Sequence, residues 1–296
     1  MSKNKLDNLV ENTEEKKMSR FRNFCKYLFK NKAALIGLSI ILFLLLCAIF
    51  APLITPYEYD AQELENMLQP PSKDHVFGTD EFGRDIYTRV IYGTRVSLQI
   101  GLIAVGISLI IGVVLGAIAG YYGGIMDHVI SGVTDVAWAF PTTLLAIAII
   151  ASLGPSLVNV MISVALVYWS GYARLVRGEF LSLKEQEFVE AARALGFSDL
   201  RIIFRHILPN AIAPAIVLTT LSIPKAIIVE SSLSFLGLGA QPPTPSWGSI
   251  MNSGREYLIE APWIALFPGL MIALIVLGFN LFGDSLRDTL DPRLRD

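Results

Sequence analysis

Three ionisable residues interrupt long apolar runs: Asp135, Lys225 and Glu230. A charge at membrane depth costs at least ~2.5 kcal/mol unless it is paired or wetted. Residues of this type in this setting therefore belong on a bundle interior or an aqueous route, and at least one of the three is expected to line a path for solute. Lys225 and Glu230 stand five apart, off the i, i+4 register, which argues against a direct salt bridge. A second charged group lies in polar sequence, where Glu185, Glu187, Glu190, Arg193, Arg201 and Arg205 surround Ala191, Ala192 and Gly196. Solvated charge on two short helices makes either a plain surface element or a docking face for a soluble partner. A third group, Asp80, Glu81, Arg84 and Asp85 beside Gly78 and Gly83, reads as a tightly turned loop with internal salt links, either a cap on the bundle or a contact for another protein. Its carboxylates lack the twelve-residue ligand spacing of a calcium loop.

Other chemistry lacks its residues. His75, His128 and His206 are scattered, with no H-E-x-x-H and no G-x-S-x-G, so neither a metallohydrolase nor a serine hydrolase has its machinery. No G-x-x-x-x-G-K-[ST] string is present to cradle nucleotide phosphates, so an energy source has to come from another chain. Cys25 and Cys47 read as free thiols. No catalytic residue, cofactor or metal is expected on this chain.

The elements that hold these groups follow from composition. Of 296 residues, 53% are hydrophobic and 17% charged, with a mean hydropathy of +0.54, which excludes an ordinary soluble enzyme and makes lipid the solvent. A net charge of -2 offers no basic surplus for nucleic acid. Crossing the bilayer takes about 20 apolar helical residues. Six segments meet that length, near Ala33–Ile54, Ser97–Tyr121, Val129–Leu153, Leu157–Val176, Ile212–Leu238 and Trp263–Phe282. The third and fifth are the least regular, since Asp135 with Pro141, and Lys225 with Glu230, interrupt them. The chain thus divides into a polar segment 1–32, a first span 33–54, a loop 55–96, a five-helix core 97–282 with a polar loop 177–210, and a tail 283–296. Eighteen of the 24 Lys and Arg fall in segment 1–32, the 174–206 segment and the tail, which places both termini in the cytoplasm. Within Met18–Lys32, bases alternate with Phe21, Phe24, Tyr27 and Phe29, as suits a helix lying at the headgroups. Gly112, Gly116 and Gly120 share one helix face and invite a second helix to approach closely. In the polar loop, Gly178–Leu195 reads as a helix stopped by a left-handed Gly196, and Asp199–Ile207 as a second, capped by Ser198 and ended with the help of Pro209.

Glu190-Ala191-Ala192, three residues, Gly196, then Leu208-Pro209 resembles the EAA loop of permease subunits of binding-protein-dependent ABC importers; His206 departs from the isoleucine usual there. Longer strings are similar to the dipeptide/oligopeptide permease C-type subunit: Asn31-Lys32-Ala33-Ala34-Leu35-Ile36-Gly37, Phe77-Gly78-Thr79-Asp80-Glu81-Phe82-Gly83-Arg84-Asp85, Tyr92-Gly93-Thr94-Arg95-Val96-Ser97, Ser231 to Gly239, and Pro242 to Gly248. The resemblance implies an all-α polytopic protein of six transmembrane helices with the type I importer fold, in a bacterial or archaeal cytoplasmic membrane. It further implies a homologous B-type permease subunit as partner, two cytoplasmic ATPase subunits that bind the ATP and magnesium, and an extracytoplasmic substrate-binding protein. Glu190, Ala191, Ala192 and Gly196 would then dock the ATPase, with Arg193 an exposed neighbour. Nickel and glutathione importers share this subunit type, so all three cargoes are compatible.

Overall fold

A computed structural model describes residues 30–290; the expected headgroup helix, Cys25 and the last six residues lie outside them. Helix α1 (Lys32–Ile54) starts where the Asn31 side chain accepts the Ala33 N–H at 2.9 Å. A lobe over residues 55–85 follows. Asp85 then accepts the Thr88 N–H at 2.7 Å and opens the 37-residue α2 (Ile86–Tyr122). This helix begins well before the expected Ser97, because Asp85 is a strong cap and no helix breaker intervenes. Next come α3 (Gly124–Trp138), α4 (Thr142–Leu153), α5 (Leu157–Leu183), α6 (Glu187–Ala194), α7 (Asp199–Ile202), α8 (Leu208–Phe235), α9 (Trp247–Gly254) and α10 (Trp263–Leu290). Among the described residues the sole β feature is one bridge, Thr79 to Asp85.

Among the described residues, four helices are long and apolar enough to span a membrane: Lys32–Ile54, Ile86–Tyr122, Asp199–Phe235 and Trp263–Thr289. The expected third span is broken into α3 and α4, bent by 96°. Pro141 is the N-cap of α4 and has no N–H to continue α3, which fixes the break there. Counted as one, that pair makes a fifth span. The fourth expected segment lies in α5, whose 27 residues are long enough, but Asn159, Ser163, Ser170 and Arg174 dilute its apolar character. Leu42, Phe43, Leu46, Ile49 and Phe50 stand exposed along α1, a surface suited to acyl chains and not to water.

The glycine face on α2 packs within the chain. A β-carbon on Gly116 would come within 2.5 Å of the Ala173 carbonyl oxygen, and one on Gly120 within 2.6 Å of Phe180 Cβ, so α2 and α5 lie in backbone contact. The quoted strings also meet in space. Trp247 is fully buried and its indole N–H donates to the Val90 carbonyl at 3.0 Å, above Gly93. Trp247→Ala is expected to cost about 3–5 kcal/mol, read as a lowered unfolding midpoint in detergent.

The 55–85 lobe has the internal salt links its sequence implied. Arg84 binds Asp80 at 2.6 Å and Glu81 at 3.3 Å, Arg89 approaches Asp80 at 3.6 Å, and His75 meets Asp85 at 3.0 Å, all largely buried. Gly78 and Gly83 take positive φ to close the turns. With Asp80 taken by arginines and by the Arg84 and Phe82 N–H groups, the cluster has no free carboxylate pair for a cation.

Candidate functional site

Helix α6 is short, and its charges suit its dipole: Glu187 and Glu190 stand in the first turn, Arg193 in the last. Val189 and Ala192 point inward and pack with Val176 and Phe180 of α5 and with Ile202, Ile203 and Ile207. Gly196 stops the helix at φ +73°, with nothing near its missing side chain, so its role is conformational. Its N–H donates to the Arg193 carbonyl at 2.9 Å and the Phe197 N–H to the Ala192 carbonyl at 3.2 Å, the two bonds of a Schellman closure. This matches the sequence expectation for Gly196. The preceding helix differs: residues 178–183 belong to α5, and a turn at 184–186 separates them from α6.

Glu190, Ala191, Arg193 and Gly196 are exposed and Ala192 is buried, so four of the five expected docking residues share the surface and the fifth anchors it. Leu195, Leu200 and Phe204 extend the same region at 72%, 65% and 64% exposure. Acidic side chains beside unpaid apolar surface are what a protein partner would cover. Behind this face, the Tyr121 hydroxyl donates to Asp199 at 2.7 Å and Lys184 to the Gly120 carbonyl at 3.1 Å, tying the site to the end of α2.

The second helix does not end at Pro209. A π-turn over Ile203–Ile207, in which the Leu208 N–H reaches back five residues to the Ile203 carbonyl, widens the backbone just before the proline. Pro209 then sits in the first turn of α8, where its missing N–H is harmless. Asp199–Phe235 is therefore one 37-residue rod of about 55 Å that starts beside the exposed face and crosses the bundle.

Asp135, Lys225 and Glu230 are not brought together. Asp135 is exposed and meets Arg174 at 2.6 Å, and that guanidinium lies 3.9 Å over the Trp138 ring. Lys225 is exposed, with no hydrogen bond or ion pair among the described residues. Glu230 is fully enclosed, its oxygens accepting from Ser234 at 2.7 Å and Ser231 at 3.4 Å. Inside the bundle the serine hydroxyls satisfy the carboxyl, so hydrogen bonds rather than water access offset its cost. Sequence reasoning passed over Arg174 and the bidentate Arg177–Asp127 pair; acids and bases at matching depth on neighbouring helices were the available signal.

Residues 112–296 match the family described as binding-protein-dependent transport system inner membrane component, and residues 19–71 match the N-terminal TM domain of oligopeptide transport permease C. The chain belongs to this family of membrane components. Within it, it is of the dipeptide/oligopeptide C type. It is 52% identical over 278 residues to the dipeptide transport system permease protein of Alkalihalophilus pseudofirmus, covering 94% of this chain and 91% of that one. It is 47% identical over 256 residues to the glutathione transport system permease protein of Escherichia coli, covering 86% and 84%. A solved inward-facing MetNI methionine ABC transporter shares the fold at TM-score 0.56 and 16% identity, over 70% of this chain and 98% of that chain.

Proposed function

We propose that the chain is one membrane subunit of an ATP-driven importer, crossing the cytoplasmic membrane six times with both termini inside and α3–α4 as its broken third span. It pairs with a homologous B-type subunit to enclose the route, takes its energy from two ATPase subunits and receives its solute from an extracytoplasmic binding protein. The observation that carries this reading is the exposed α6 face joined to the rod Asp199–Phe235. Closure of the ATPases on ATP moves α6, the rod tilts, and the route alternates between inward and outward access. Glu190, Ala191, Arg193 and Gly196 form the contact, with Ala192 locking it to α5 and α8.

Di- or oligopeptides are the proposed cargo, with glutathione as the second reading because a glutathione permease is 47% identical. The experiment is reconstitution of the subunits with a loaded binding protein in proteoliposomes. Uptake that requires internal ATP and ignores a protonophore is the expected result. Uptake abolished by the protonophore and indifferent to ATP would instead make the chain an ion-coupled transporter.

A further inference from the structure

Helix α8 carries one stripe, Pro214, Leu218, Leu221, Lys225, Ile228 and Ser232, spaced alternately by four and three, in which Lys225 and Ile228 are exposed and the other four half-buried. The stripe walls a cavity at each end. Towards α6, Pro214, Leu218 and Leu221 border a space of about 750 Å³ with Trp138, Arg174 and Arg287. Beyond Lys225, Ile228 and Ser232 border one of about 420 Å³ with Phe235 and Met251. Lys225 stands between the two, near the middle of the apolar run. It lines neither cavity itself, but it is exposed where its neighbours in sequence, Ile223, Ala226 and Ile227, are buried, and it lies on the stripe that borders both.

The charge along this stripe has one sign. Arg174 is neutralised by Asp135, and Glu230 is sealed behind α8 by serine hydroxyls. Lys225 and Arg287 have no ion pair among the described residues; Asp284 and Asp288 share a helix with Arg287 but do not line the cavity. A lone ammonium at mid-depth is stable only beside water or an anion. It is a point charge on a flexible stem with no fixed second donor, which gives the brief contact a site in transit needs: favourable enough to admit a solute and weak enough to release it. A bare divalent cation would meet like charge at both positions.

We infer that Lys225 receives the carboxylate of the solute as it passes along the α8 stripe, so that the substrate class is molecules with a free carboxylate, such as peptides or glutathione, and not a bare metal cation. The inference rests on the importer reading above. It is tested in the complete importer with a saturating, peptide-loaded binding protein in proteoliposomes. Lys225→Met should lower peptide uptake at least about tenfold while binding-protein-stimulated ATP hydrolysis stays within about twofold, and Lys225→Arg should retain uptake. Lys225→Cys should show the same loss, and aminoethyl methanethiosulfonate, which restores an ammonium, should recover uptake where methyl methanethiosulfonate does not. Wild-type uptake by the Met variant overturns the inference. So does loss of ATP hydrolysis together with dissociation of the complex, which would make Lys225 an ion-pair partner of the neighbouring subunit. Absence of ATP-driven uptake by the unsubstituted complex is a different failure, that of the importer reading itself.

Discussion

An importer whose chain carries Glu190→Lys and Gly196→Pro is expected to keep hydrolysing ATP while peptide uptake falls by roughly a hundredfold, the equivalent of the ~3 kcal/mol that a misplaced proline costs. Gly196 holds φ +73°, and the proline ring fixes φ near −65°, so the left-handed turn cannot form. The substitution also deletes the N–H that binds the Arg193 carbonyl and, by turning the backbone away, the Phe197 to Ala192 bond. The Schellman closure is lost and α6 no longer holds its angle to α7. Lysine at position 190 then sets a positive charge on the positive end of the helix dipole and reverses the sign of the exposed face. Val189 and Ala192 still anchor the segment to α5 and α8, so the membrane subunits should assemble. Co-purification of the ATPase reports docking and the ratio of solute carried to ATP hydrolysed reports coupling. Gly196→Asn, which tolerates the left-handed region, should retain most uptake. Normal uptake by the double variant would refute the docking role.

The parts of this fold that were legible in the sequence are those set by short-range rules. Gly196 followed a helical run and was readable as its stop; Gly112, Gly116 and Gly120 repeat at one helical turn and were readable as a packing face; Asp80, Glu81 and Arg84 lie close enough in the chain to pair across one turn. What was not legible depends on which helices become neighbours. Arg174 and Asp135 are 39 residues apart, and nothing local links them. Glu230 and Lys225 looked alike as charges in one apolar run, yet five residues of helix turn them to opposite fates, one sealed by Ser231 and Ser234 and one facing open space. Pro209 was misleading for a related reason. A proline's effect depends on the carbonyl four residues earlier, and the π-turn at Ile203–Ile207 had already moved the backbone aside. The continuity of the rod is thus a tertiary fact that a local stop signal obscured. The early start of α2 shows the converse, a capping residue, Asp85, that was noted for its charge and overlooked as a helix start.

Replacing both Gly112 and Gly116 by leucine is expected to prevent α2 from seating on α5 and to leave little folded chain in the membrane. A β-carbon at position 112 would run into Tyr172 Cβ and lie 2.7 Å from the Trp169 carbonyl oxygen; at position 116 it would lie 2.5 Å from the Ala173 carbonyl oxygen and 2.9 Å from Val176 Cβ. Most of these obstacles are backbone or Cβ atoms, which cannot turn aside as a side-chain tip can. Relief requires the helices to separate, which removes dispersion contacts along their whole length. Inside lipid no hydrophobic gain between helices offsets that loss, since acyl chains are as apolar as leucine. Overpacking at two such sites costs roughly 2–6 kcal/mol, a large share of the 5–15 kcal/mol that holds a typical protein folded. The damage should spread to the exposed α6 end, because Tyr121 and Gly120 on the same helix hold Asp199 and Lys184. Gly106→Leu with Gly132→Leu provides the matched control, as a β-carbon at either position meets nothing within 4 Å. Fluorescence-detected size exclusion of the detergent-extracted complex should give a sharp peak for the control and aggregate or no peak for the double variant. A sharp peak from Gly112→Leu with Gly116→Leu would mean that the α2–α5 contact does not govern folding of the bundle.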